Sequence, residues 1–203
     1  MQQDRARHRR VAILDAALRV FCRLGYHEAS VEEIAGEART SKGGVYFHFP
    51  NKQAIFLSLL DGAAGQLRVR TEAAIAAERD PVAKADAALW TVLRAFAGHR
   101  ELARLFLVEA LGAGREFHAR LLTLHGEFTG MIRAQLDDAV ASGAIAPLDT
   151  EIAAHAWFGA LNEVVTYWVL AGRSNGLEEV YTSLRPMLLG AIGVASPVEG
   201  GRR

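Results

Sequence analysis

The residues with the most evident chemistry lie between Thr40 and Lys52. Thr40 and Ser41 put small hydroxyls at what reads as a helix start, where each can meet a phosphate or a base edge, and Lys42 adds a cation beside them. Gly43 and Gly44 follow, and a glycine pair lets a backbone approach a polyanion with no side chain in between. Two glycines lower helix propensity by roughly 1 kcal/mol each relative to alanine, so fold stability alone does not favour them. Tyr46, His48 and Lys52 then offer a hydroxyl, an imidazole and an ammonium, all suited to phosphate oxygens. Val45, Phe47 and Phe49 read as the core side of the same stretch, facing Val11, Leu14, Phe21 and Ile34. An ordinary reading stands beside this one: Tyr46 as a half-buried core aromatic and Gly43-Gly44 as a plain loop.

Charge distribution agrees with a nucleic-acid-facing end. The formal net charge is zero, but up to Lys52 there are nine Lys/Arg against six Asp/Glu, and beyond it 14 against 17. The first ten residues hold Arg5, Arg7, Arg9 and Arg10 against Asp4 alone, a cluster that can sit on phosphates or fray into solvent.

Other chemistry is sparse. The chain has no phosphate loop, no G-x-G-x-x-G, no HExxH and no G-x-S-x-G, so no catalytic, metal or cofactor site is expected. His118 and His125 are seven apart on one helix, about 10.5 Å, too far to share a metal unaided. The one cysteine, Cys22, rules out an internal disulfide and reads as a small buried hydrophobe. No secretory signal is evident, and the most apolar stretch, 152–172, carries His155, Asn162, Glu163 and Thr166, which argues against a membrane span. A cytoplasmic protein is expected.

The elements that must position these residues are helical almost throughout, about nine in number, with no alternating strand pattern. Val11, Leu14, Leu18 and Phe21 mark a first helix over 7–24 that Gly25 stops. Ser30-Val31-Glu32-Glu33 is a capping box that opens a short helix over 31–38. A second short helix spans 41–48, and Asn51 caps a long one to about 79. Asp80-Pro81 restarts the chain for a helix to 98; further helices are expected at 101–111, 115–142 and 149–171. A last helix is capped by Asn175-Gly176 and bent at Pro186, and 196–203 reads as a disordered tail. Two short helices behind a longer one have the minimal plan of a three-helix DNA-binding domain, which would divide the chain into 1–52 and 53–195.

Several segments together are similar to one known family. Ile13-Leu14-Asp15-Ala16-Ala17, Phe21, Gly25-Tyr26, Ser30-Val31-Glu32-Glu33-Ile34-Ala35 and the run Ser41 to Lys52 closely resemble the N-terminal domain of TetR-type regulators. The resemblance implies an all-α protein with a three-helix, homeodomain-like DNA-binding domain and a C-terminal helical domain for ligand binding and dimerisation. It makes 30–49 the helix-turn-helix and 41–48 its recognition helix. Lys42, Tyr46, His48 and Lys52 inherit phosphate contacts, and Thr40, Lys42, Gly43 and Gly44 face the bases, with Arg9, Arg10, Ser30 and Ser41 at the edges. Gly44 departs from the family, which usually has Thr, Ser or Ala there, so direct readout is expected to be thinner.

The implied partners are a palindromic double-stranded DNA operator, a second copy held through the last two helices, and a small, mostly hydrophobic effector. Operator half-sites would lie about 34–36 Å apart. On 152–172 the stripe Trp157, Leu161, Val164 and Trp168 is expected to pack inward, while Glu163 needs an arginine such as Arg94 or Arg104, a ligand or solvent. By position alone, Trp90, Phe96, Phe106, Phe117, Phe128, Trp157 and Tyr167 would line the effector chamber, with Arg104, Asn162 and Glu163 as its polar groups. The competing functions are a small-molecule carrier whose helix-turn-helix is vestigial, and a helical enzyme using Glu163 with His155.

Overall fold

The computed structural model describes residues 2–108, 114–171 and 176–194. Among these the chain forms nine α-helices and no strand: α1 Gln2–Glu28, α2 Val31–Glu37, α3 Lys42–His48, α4 Lys52–Ala77, α5 Pro81–Gly98, α6 Arg100–Leu107, α7 Arg115–Ala141, α8 Thr150–Leu170 and α9 Leu177–Ala191.

Most boundaries follow from caps written into the sequence. The Ser30 hydroxyl accepts from the Glu33 amide at 3.2 Å while the Glu33 carboxylate accepts from the Ser30 amide at 2.8 Å. Ser41, Asn51, Asp80 and Asp149 likewise accept from amides three residues on, at 3.0, 2.7, 2.8 and 3.0 Å. Gly25 breaks α1 with φ 79°, a conformation glycine adopts freely, and one more turn runs on to Glu28. Two ends differ from expectation. The helix of Arg5, Arg7, Arg9 and Arg10 begins at Gln2 rather than 7, and Gly176 starts α9 without a side-chain cap. Asn175, the end of the expected 101–111 helix and the 196–203 tail lie outside the described residues.

The chain divides into two compact units, each built from two stretches of the sequence. The first unit is Met1–Gln66 with Arg100–Leu122; the second is Leu67–His99 with Thr123–Arg203. In the first, Ile13, Ala16, Ala17, Val20 and Phe21 of α1 form the buried face with Ile34, Val45, Phe49 and Ile55. Phe56 centres an aromatic cluster, its ring 4.6 Å from Tyr26, 5.3 Å from Phe117 and 5.4 Å from both Phe21 and Phe106. These ring contacts draw α6 and the start of α7 into the N-terminal unit. In the second unit, Leu136, Ala139, Ile145, Ala154, Leu189 and Ile192 form one core cluster. The α5 and α9 helices are joined there by a two-pronged, half-buried Asp86–Arg185 pair at 2.6 Å, with Trp90 edge-on to Tyr181 at 5.1 Å.

Candidate nucleic-acid interface

A tight turn delivers α3 from α2. Helix α2 ends on Ala38; Arg39 then takes φ +50°, and two backbone hydrogen bonds close the turn, from the Thr40 amide to the Ala35 carbonyl at 2.9 Å and from the Arg39 amide to the Gly36 carbonyl at 3.1 Å. The turn brings Thr40 against the first turn of α3, where a Cβ on Gly44 would lie 2.5 Å from the Thr40 hydroxyl oxygen. Gly44 is therefore bare because Thr40 fills its space. Gly43 differs: a Cβ there would have only the Ser41 hydroxyl oxygen nearby, at 3.9 Å, so nothing inside the chain requires its small size.

Helix α3 is seven residues long and buries a single residue, Val45, before Phe49 anchors its end. Tyr46 is 44% exposed and Phe47 82% exposed. The expectation that Phe47 belongs to the core is wrong, and Val11, its supposed neighbour, is itself 49% exposed. The geometry explains the error. Val45 and Phe49 are four apart and share the inward face, whereas a residue two along from Val45 sits about 200° round the helix. Phe47 points to solvent with its ring edge-on to His48 at 5.1 Å.

The cations divide into two sets. Lys42 stays at the surface, paired with Glu32 of α2 and lying 5.9 Å over the Tyr46 ring. The hydrogen bond between them holds the Lys42 pKa above and the Glu32 pKa below their ordinary values. Arg9 is also exposed. Lys52 is committed inward: its ammonium donates to the carbonyls of Tyr26, His27 and Ala29 at 2.7, 3.0 and 2.7 Å, and sits 4.7 Å over the Tyr26 ring. Burial lowers its pKa, with Glu28 and Glu33 opposing. Arg10 stacks on Phe49 at 4.7 Å and donates to Ser58 at 3.1 Å. Lys52 and Arg10 thus fasten α1 to the start of α4 and the end of α3. Thr40, Ser41, Lys42, Gly43 and Gly44 lie at the start of α3, with exposed Tyr46 and half-buried His48 toward its end and Ser30 spent on its capping box.

This arrangement, a capped short helix, a tight turn and a second short helix with polar and aromatic groups turned outward, can enter a DNA major groove. Comparison with known proteins agrees. Residues 13–59 match the family model described as bacterial regulatory proteins, tetR family, and residues 78–190 match the tetracyclin repressor-like C-terminal domain. The chain belongs to the TetR family of DNA-binding transcriptional regulators. Among the relatives of this TetR-family regulator is the fatty acid metabolism regulator protein of Bacillus subtilis, 28% identical over 193 residues, covering 95% of this chain and 98% of that one. The crystal structure of Bacillus subtilis FadR in complex with stearoyl-CoA is 26% identical with TM-score 0.82, covering 92% and 99%. The fatty acid degradation regulator FadR from Bacillus halodurans is 26% identical with TM-score 0.81, covering 88% and 97%.

The ten residues expected to line one effector chamber are divided between the two compact units. Phe106 and Phe117 are buried in the aromatic cluster of the N-terminal unit. Exposed Arg104, also in that unit, lines a groove of about 420 Å³ with Glu101 and the end of α1, including His27 and Glu28. In the second unit, Trp90, Phe96, Phe128, Trp157 and Asn162 are half-buried. Trp168 is buried and Trp157, Leu161 and Val164 are half-buried, so that stripe of α8 faces inward. The Trp157 ring packs on the Leu136 core, and its indole N–H is buried with no hydrogen-bond partner among the described residues. Glu163 and Tyr167 stand instead on the exposed face of α8, with Ile152, His155, Ala156, Gly159 and Leu170. Glu163 therefore meets solvent in this chain. No described helix is long and apolar enough to cross a membrane.

Proposed function

We propose that the chain is a homodimeric cytoplasmic repressor that leaves a palindromic operator when a long-chain acyl-CoA binds. The observation that carries the effector class is the similarity, over nearly the full chain, to the Bacillus subtilis regulator crystallised with stearoyl-CoA. The half-buried aromatics of the second unit suit an acyl chain. The unpartnered Trp157 N–H suits an acyl oxygen, because a buried donor without an acceptor is rare and costly. Helices α4 and α7 contribute residues to both units, which gives effector binding a route to the reading helix.

Dimerisation is supported by α8 and α9. Ile152, Tyr167 and Leu170 on α8 and Met187 on α9 are each more than half exposed, with small Ala156 and Gly159 among them, a surface suited to close approach of a second copy. On DNA, Thr40, Ser41, Lys42, Gly43 and Gly44 meet the bases, while Tyr46, His48 and Arg9 meet phosphates. Phe47 offers its ring to a thymine methyl. Arg10, Ser30 and Lys52 hold the frame in place.

The test is fluorescence anisotropy with an operator selected from a random duplex pool. Stearoyl-CoA should release the operator, whereas coenzyme A alone should not. Operator affinity unchanged at saturating stearoyl-CoA would contradict the effector class, and no preference for any duplex would contradict the regulator.

A further inference from the structure

The turn that presents α3 holds a residue with no conformational reason to be there. Arg39 occupies the position after the α2 cap where the chain turns left-handed, φ +50°, the one such non-glycine residue among those described. Both backbone hydrogen bonds of the turn are formed around it, from the Thr40 amide to Ala35 and from the Arg39 amide to Gly36, so the conformation is fixed by the motif and not by the arginine side chain. Glycine is the residue this position ordinarily takes, because a Cβ there crowds the neighbouring carbonyl. Left-handed non-glycine residues concentrate at functional sites, where something other than the fold retains them.

Nothing inside the chain explains the choice. Arg39 is exposed. Glu37 feels its charge, but that carboxylate already accepts from Arg19 at 2.7 Å and lies 3.8 Å from Arg23. Among the described residues Arg39 makes no ion pair. It directly precedes Thr40, Ser41 and Lys42, at the end of α3 that the helix-turn-helix turns toward DNA.

We infer that Arg39 is a phosphate-binding residue of the reading head, retained at a backbone cost that glycine would remove. Its planar guanidinium can hold two phosphate oxygens at once, which the Lys42 ammonium, shared with Glu32, cannot do alone. The inference rests on the DNA-binding reading above and predicts opposite signs for stability and binding. Arg39→Gly should raise the melting temperature of the full chain by about 2–4 °C. It should weaken binding near physiological salt by about fivefold per contact and lower the salt slope by about 0.9 per charge removed.

The loss should be equal on the selected operator and on an unrelated duplex, because phosphates carry no sequence. Arg39→Lys should keep most of the slope; Arg39→Asn, which tolerates the left-handed turn without charge, should lose it. A rise in melting temperature with affinity and slope unchanged would overturn the inference, as would a fall in melting temperature with Arg39→Gly. If the wild-type chain prefers no operator, the regulator reading fails, while the slope on the unrelated duplex still reports on Arg39.

Discussion

Helices α3 and α8 both place apolar side chains in solvent, yet their surroundings assign them different partners. On α3 the exposed Phe47 and Tyr46 stand among Lys42, His48 and two glycines, beside an arginine in the preceding turn. Two rings among basic and small residues suit a polyanion with a few methyl groups on its edges. On α8 the exposed face runs Ile152, His155, Ala156, Gly159, Glu163, Tyr167 and Leu170, with no lysine or arginine. That face is long, free of basic charge and interrupted by small residues, with Ile152 and Leu170 toward its two ends, and suits another helix. Exposure alone does not identify a partner. Neighbouring charge and side-chain size do.

The largest test of this contrast is on α8. Gly159 has open space around a built Cβ, so Gly159→Arg should fold, yet it places a large cation in the proposed dimer face. Light scattering should give a monomer, and operator affinity should fall by about 100-fold or more as the two half-sites lose their linkage. A dimer with wild-type affinity would break the assignment of that face.

A smaller loss is expected where α1 meets α4. Lys52→Met removes three hydrogen bonds from an ammonium to carbonyls and should lower stability by about 1–3 kcal/mol, read by chemical denaturation. Were Lys52 chiefly a phosphate ligand, stability would stay and only the salt slope would change.

Phe47→Ala sharpens the α3 side. The folded chain should keep its stability within about 0.5 kcal/mol. Discrimination between the operator and a duplex with thymines replaced by uracils should fall by about 1 kcal/mol. A large stability loss would return Phe47 to the core.

The smallest effect concerns Gly44. Alanine there should gain helix propensity of up to about 1 kcal/mol only when Thr40→Ala has cleared its space, so a double-mutant cycle should show coupling. Additive effects would mean that Thr40 does not hold Gly44 bare.

Much of this was legible because it is local. The Ser30–Glu33 box, the Gly25 break and the Asp80-Pro81 restart each depend on residues within four positions, and each helix end falls near where those residues put it. Phe47 was equally legible had the 3.6-residue period been applied to Val45 and Phe49. Lys52 was not, since its carbonyl acceptors lie 23 to 26 residues earlier and backbone acceptors have no residue signature. Phe106 and Phe117 look the same in sequence whether they line a chamber or pack on Phe56, and only the fold decides. Arg39 was invisible because an arginine gives no hint of a left-handed turn.

Hydrogen exchange on the full chain, alone, with operator, and with operator plus stearoyl-CoA, reports on both faces and on the effector at once. Amides of α8 and α9 should be protected in the free dimer, and those of α2 and α3 should slow only with operator and return to free rates when stearoyl-CoA is added. Amides of α2 and α3 that exchange alike in all three samples would contradict it.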